Sequence, residues 1–344
     1  MKDKQSRDLI TRIKKEQGER LVILGHHYQS DDVVAFADFV GDSLELARRA
    51  ATIKTADMLV FCGVYFMAET AAILAPDKAV YIPDIGAGCP LADMAKIEDV
   101  NTAWERIMRI DGSVTPVTYV NSTAAIKAFC GRHGGTVCTS GNARKVFAWA
   151  LEQSDKIFFM PDKNLGRNTA RSMNIPDDEI VEWDPAKKDG GLDEAAIANS
   201  RVILWKGWCP VHWPNFSKDA VEKMRREFPE AKIIVHPESD PDAVEASDES
   251  GSTAQILEYI KDLKAGERVV IGTELNMVSR AAKQYHSKID VMALSRELCD
   301  DMAKITLDKL ACTLAGLHED TYRVVVDKDI ARDALIALEN MLRI

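Results

Sequence analysis

No stretch of this 344-residue chain approaches the unbroken apolar length of a membrane helix. The sequence pattern therefore excludes a helical membrane span. Basic charge is also short: 44 lysines and arginines face 54 acidic residues, a net charge of −10. A general nucleic-acid binder would carry the opposite footprint, so neither nucleic acid nor membrane is an expected partner. The first residues run into a charged helical pattern with no apolar signal core, and a cytoplasmic location is expected. The chain has no Cys-x-x-Cys pair, which argues against a zinc ribbon or a ferredoxin-type run. Its 7 cysteines are an odd number, and in a reducing compartment they do not make a disulfide framework.

What is present is a block that occurs three times. Each copy opens with an apolar strand running into a polar tip: residues 21–24 into Gly25-His26-His27-Tyr28, 117–120 into Asn121-Ser122-Thr123, and 233–235 into His236-Pro237-Glu238-Ser239. A turn with a hydroxyl at a helix start follows, at Ser43, Ser140 and Thr253. A third strand (58–62, 156–160, 268–271) and a fourth (79–82, 201–205, 288–292) complete each block, which runs out to Cys89, Cys209 or Cys299.

Strands alternating with helical patterns indicate α/β layers with parallel sheets. The expected architecture is three similar Rossmann-like αβα domains about a pseudo-threefold axis, with the active site in a central cavity. Expected boundaries are 1–91, 92–213 and 214–299, with a C-terminal helical extension over 300–344 packing back on the core. Helices are expected at 43–55, 67–74, 124–129, 142–154, 241–245, 253–263 and 277–285, and a strand-like piece at 322–326. Residues 171–200, with Pro176, Pro185 and Gly190-Gly191, read as a surface loop inserted in the second unit.

Ligands of parallel α/β sheets bind beyond the carboxyl ends of the strands, so the polar tips should gather in one place. A hydroxyl at a helix start is a plain N-cap by default. Three such helix starts around one cavity would instead suit carboxylates and phosphate, because free N–H groups and the helix dipole favour anions. His26 and His236 hold equivalent places, beside Tyr28 and Glu238, and these pairings suit proton transfer. His27 reads as a packing residue; His133, His286 and His318 read as surface or turn residues.

Cys62 and Cys138 fall in apolar strand runs and Cys130 and Cys312 in helix patterns, so all four read as buried core thiols. Cys89, Cys209 and Cys299 lie just past a fourth strand, two of them followed by proline. They are the candidate metal ligands. With His212 they would make a Cys₃His zinc site; without a fourth protein ligand they would leave one iron of a cubane open to act as a Lewis acid.

From about Leu21 to Leu310 the chain resembles the quinolinate synthase family of NAD biosynthesis. The resemblance is carried by Leu24-Gly25-His26-His27-Tyr28-Gln29, Ala37-Asp38-Phe39-Val40-Gly41-Asp42-Ser43-Leu44 and Phe61-Cys62-Gly63-Val64-Tyr65-Phe66-Met67-Ala68-Glu69-Thr70. Further carriers are Tyr119-Val120-Asn121-Ser122-Thr123, Pro161-Asp162-Lys163-Asn164-Leu165-Gly166, Cys209-Pro210-Val211-His212, His236-Pro237-Glu238 and Gly272-Thr273-Glu274. The resemblance implies a [4Fe-4S] cluster on Cys89, Cys209 and Cys299 with one open iron. It implies condensation of iminosuccinate (iminoaspartate) with dihydroxyacetone phosphate to quinolinate, with loss of phosphate and two waters. His26, Ser43, Tyr119, Asn121, Ser140, His236, Glu238 and Thr253 match the family's substrate-binding positions, and His26, Tyr28, His236 and Glu238 are the implied acid–base set. An L-aspartate oxidase or aspartate dehydrogenase supplying iminosuccinate and the iron–sulfur assembly machinery are the implied functional links. Two other readings are a non-catalytic iron–sulfur sensor on the same scaffold and a zinc-dependent lyase. Retention of His26, Tyr28, Asn121 and Glu238 argues against the sensor, which needs only thiols.

Overall fold

The computed structural model describes residues 2–344. The first sheet holds β1 (Leu21–His26), β2 (Phe39–Gly41), β3 (Met58–Cys62) and β4 (Ala79–Tyr81) in the order β2-β1-β3-β4. The second holds β5 (Val114–Tyr119), β6 (Thr136–Cys138), β7 (Lys156–Met160), β8 (Ile180–Trp183) and β9 (Val202–Trp205) in the order β6-β5-β7-β9-β8. The third holds β10 (Lys232–Val235), β11 (Glu249–Ser250), β12 (Arg268–Gly272) and β13 (Asp290–Ala293) in the order β11-β10-β12-β13. Every pairing is parallel. With β9 as the fourth strand of the second sheet, one strand order serves all three. The repeat in the sequence is thus a repeat of fold.

Strands covered on both faces need apolar residues at every position rather than at alternate ones. β3 and β9 meet that condition, as does β7 after Lys156, and all three are buried throughout. Helices Ser43–Thr52 and Thr253–Asp262 each begin with a capping box, from Asp42 with Glu45 and from Ser252 with Gln255. The third sheet packs one face on a smaller apolar cluster that includes Phe216, Val221, Ile233 and Val270.

Three expectations are corrected. Residues 171–200 are not a plain loop: they carry β8 and the helix Glu194–Asn199. Ile180 and Trp183 are buried, so the insertion adds an edge strand to the second sheet beside β9. Residues 322–326 form no strand. They make an antiparallel bridge between Arg323 and Tyr81, with Ile82 N donating to Tyr322 O (2.9 Å) and Val324 N donating to Val80 O (2.8 Å). This short segment covers the free edge of β4, which would otherwise present unpaired backbone. Cys312 is exposed rather than buried, because it lies on the outer face of helix Leu307–Ala315.

The C-terminal residues fold over the rest. Helix Leu307–Ala315 packs on Lys2–Gln17, and helix Lys328–Arg343 lies along Ala124–Arg132 and β6. Gly131 permits that close approach: a Cβ there would sit 1.9 Å from the Asp333 carbonyl oxygen. Gly131→Ala must push the two helices apart. A loss of about 1–3 kcal/mol is expected, read as a lowered denaturant midpoint.

Candidate active site

The carboxyl ends of all three sheets face one cavity of about 400 Å³. His26, Tyr28, Ser43, Tyr119, Asn121, Ser140, His236, Glu238 and Thr253 all line it, together with Cys89, Cys209 and Cys299. The structure therefore brings together every residue singled out from the sequence.

The first and third units build the same small device at the strand tip. Tyr28 N donates to His26 Nδ1 (3.2 Å), and Glu238 N donates to His236 Nδ1 (3.3 Å). An imidazole accepting at Nδ1 is neutral and carries its proton on Nε2. Burial, with neighbouring histidines adding to it, lowers both imidazoles to about 3. Near neutral pH these rings are donors to substrate oxygens rather than proton acceptors.

That state has a consequence for stability. An unfolded imidazole titrates near 6.5, so below that pH the unfolded chain takes up protons that buried His26 and His236 refuse. The stability is present above about pH 6.5 and is lost as pH falls toward the folded values. At pH 5 the loss is about 2 kcal/mol per imidazole. Urea midpoints between pH 7 and 5 should fall steeply in the cluster-free chain and less steeply in the His26→Asn, His236→Asn double variant. Equal slopes would refute the neutral assignment.

Glu238 is the hub of the polar network. Its Oε1 accepts from the Tyr119 hydroxyl and its Oε2 lies 2.9 Å from His212 Nδ1. Burial opposes its charge, but His236, His212 and the Tyr119 bond prevail and hold it down at about 2. His212 Nε2 continues to Thr273 Oγ1 (3.2 Å), which meets the Tyr28 hydroxyl at 2.8 Å. The His212 and His236 rings stack at 4.3 Å. Burial first, then Glu238, raises both Tyr28 and Tyr119 well above 10, so both phenols keep their protons. Asn121 Oδ1 is buried with no partner, as expected of an acceptor that awaits a ligand's N–H or O–H.

The hydroxyls are not the N-caps. Asp42 and Ser252 do that work, which leaves Ser43 and Thr253 as first helical residues facing the cavity. Ser140 lies in the turn before helix Ala143–Gln153, where Asn142 Oδ1 accepts from Thr139 N (2.7 Å).

Cys89 and Cys299 each cap a short helix, Pro90–Asp93 and Asp300–Ala303, whereas Cys209 follows β9. Burial pushes Cys299 up to about 11 and raises Cys89 and Cys209 as well. Thiols this reluctant to ionise alone become thiolates only beside compensating positive charge, which metal supplies. Side chains close enough to share one ion are Cys209, His212 and Glu238, whose ligand atoms lie within 4.8 Å of one another. Cys89, Cys209 and Cys299 line the same cavity, and a set of soft thiols fits zinc or an iron–sulfur cluster.

Sequence reasoning missed two members of the network. His212 was weighed only as a zinc ligand, and Thr273 stood within a motif of the resemblance without being given a role. The available signal was position: His212 shares the loop of Cys209, and Thr273 follows β12 directly, where every other polar tip also lies.

Three sheets of one strand order, closed on a buried polar cavity with three thiols, define an α/β enzyme with a thiol-lined central site. The chain belongs to the quinolinate synthetase A protein family, whose model matches residues 8–343. It is 47% identical over 339 residues to the quinolinate synthase of Anoxybacillus flavithermus, covering 97% of this chain and 92% of that protein. It is 45% identical over 343 residues to the Bacillus anthracis quinolinate synthase (97% and 91% covered) and 44% identical over 353 residues to that of Rhodopirellula baltica (97% and 90%).

Proposed function

We propose that this chain condenses iminosuccinate with dihydroxyacetone phosphate to quinolinate, phosphate and two waters, as a step of NAD biosynthesis. Family membership supports the activity. The observation that carries the site is that three thiols and the Glu238 network line one cavity. Cys89, Cys209 and Cys299 would hold a [4Fe-4S] cluster, which when bound supplies a Lewis-acidic iron that helps a hydroxyl leave.

The chain's own groups do the rest. Ser43, Ser140 and Thr253, at or beside helix starts, bind carboxylate and phosphate oxygens. His26 and His236 donate from Nε2 to a carbonyl or carboxylate. Asn121 Oδ1 orients the imine nitrogen. Ionised Glu238 takes a proton through Tyr119 or His212, and Tyr28 Oη returns one, with its phenol held by Thr273. The buried walls exclude water from an imine that water would destroy.

Among the described residues no helix is long and apolar enough to cross a membrane. An aspartate oxidase or aspartate dehydrogenase would supply the unstable iminosuccinate, and iron–sulfur assembly proteins the cluster. The zinc reading is weaker: to complete a Cys₃His site with Cys89, Cys209 and Cys299, His212 would have to give up its bond to Glu238 or its bond to Thr273. The test is anaerobic reconstitution with iron and sulfide, followed by assay with dihydroxyacetone phosphate and freshly made iminosuccinate. Quinolinate is expected; none from a cluster-replete chain would overturn the proposal.

A further inference from the structure

In each sheet the third strand runs into a helix: β3 into Tyr65–Leu74, β7 into Lys163–Ser172 and β12 into Leu275–Tyr285. The first N–H of each helix donates to the carbonyl two residues before a site cysteine. The three bonds are Tyr65 N to Ala87 O (2.7 Å), Lys163 N to Gly207 O (2.9 Å) and Leu275 N to Glu297 O (2.8 Å). One backbone tie thus anchors all three cysteine loops to the strand ends.

The residue just before each helix breaks the symmetry. It is Val64 in the first unit, Asp162 in the second and Glu274 in the third. Asp162 Oδ1 caps its helix through Leu165 N (2.8 Å), and its Oδ2 accepts from the backbone N–H of Cys209 (3.2 Å). Glu274 Oε2 caps through Asn276 N (2.8 Å) and Met277 N (3.2 Å), and its Oε1 accepts from the Asn276 side-chain amide (3.1 Å). Both carboxyls are fully buried.

Capping alone does not account for Asp162. The valine in the first unit shows that this turn forms with no side-chain cap at all. A cap at a half-exposed end would avoid the penalty of burying a carboxylate. What Asp162 adds, beyond the cap, is reach to the backbone of a cysteine proposed to hold the cluster. Groups that fix the ligands of a metal centre from behind set how firmly it is held.

We infer that Asp162 is a positioning residue for the cluster: it clamps the Cys209 loop to the end of β7, so that this thiolate leg is held by a buried carboxylate where the Cys89 loop has only Val64 in the equivalent place. This rests on the cluster reading above, and the test separates the two. Asp162→Ser retains a good N-cap but is too short to reach the cysteine. Asp162→Asn keeps the size and can satisfy only one of the two N–H donors. Asp327→Ser, the same change at the cap of the C-terminal helix, is the control.

After anaerobic reconstitution, iron release to a chelator is followed together with thermal unfolding and the electron paramagnetic resonance of the reduced cluster. Release should quicken at least tenfold in Asp162→Ser and by less in Asp162→Asn, with an altered resonance. Asp327→Ser should release iron as the unmodified chain does. Release within twofold of the unmodified chain in all variants, or quickening that simply follows lowered unfolding temperature in Asp327→Ser as well, would overturn the clamp. Should Asp162→Ser fail to fold, Asp162→Asn carries the test by the same release and resonance measurements. An unmodified chain that takes up no cluster would instead refute the reading beneath it.

Discussion

Replacing Cys209 by serine is expected to abolish both cluster uptake and quinolinate formation, while Cys130→Ser keeps both. The two thiols differ in place, not in chemistry. Cys130 is fully buried in helix Ala124–Arg132, among apolar residues and away from the cavity. Cys209 lines the cavity beside Glu238 and His212. Serine at 130 puts a hydroxyl where a thiol packed, for a stability loss of about 1–3 kcal/mol and no change in the site. Serine at 209 removes a soft ligand that iron requires. The Lewis-acid contribution lost with it is several kcal/mol, or about 10³-fold in turnover. Iron and sulfide content and a quinolinate assay on both variants decide it. Equal cluster loss in the two would refute the ligand assignment.

Glu238→Gln should be the most damaging change among the acid–base residues. One carboxylate oxygen takes the Tyr119 proton donor and the other faces His212 Nδ1. An amide can accept from only one of them and must turn its NH₂ toward the other. His212 would then have to exchange tautomer, and the chain through Thr273 to Tyr28 would lose its direction. A fall of about 10²–10⁴-fold in kcat is expected, the usual range for a lost general base. Cluster content should be unchanged, since the thiols are untouched. Because His236 and His212 hold Glu238 down at about 2, an acid limb in the rate profile between pH 5 and 8 cannot be its titration. Near-normal kcat in a cluster-loaded Glu238→Gln chain would remove Glu238 from the mechanism.

Much of this was legible from position within the repeat. Apolar strands buried on both faces announce themselves, and a polar residue directly after such a strand has one place to go. That is why His26, Asn121 and Glu238 could be sent to a common cavity, and why Cys89, Cys209 and Cys299 separated from Cys62 and Cys138. Position alone does not report partners. Whether Ser43 capped its helix depended on Asp42, a stronger acceptor one residue earlier. The orientation of His26 followed from a backbone N–H two residues on, invisible to pattern reading. The β8 insertion was misread because Pro176, Pro185 and two glycines surround a four-residue strand. Thr273 was passed over because a lone threonine carries no periodic signal; only contact with Tyr28 and His212 marks it.

The central claim is that three cysteines hold a cluster whose remaining iron faces the substrate cavity. Mössbauer spectroscopy of the anaerobically reconstituted, ⁵⁷Fe-labelled chain, with and without quinolinate, tests it most directly. The account predicts a four-iron cluster in which one iron changes its spectrum when quinolinate is added and the other three do not. A spectrum with all irons alike and indifferent to quinolinate would contradict it.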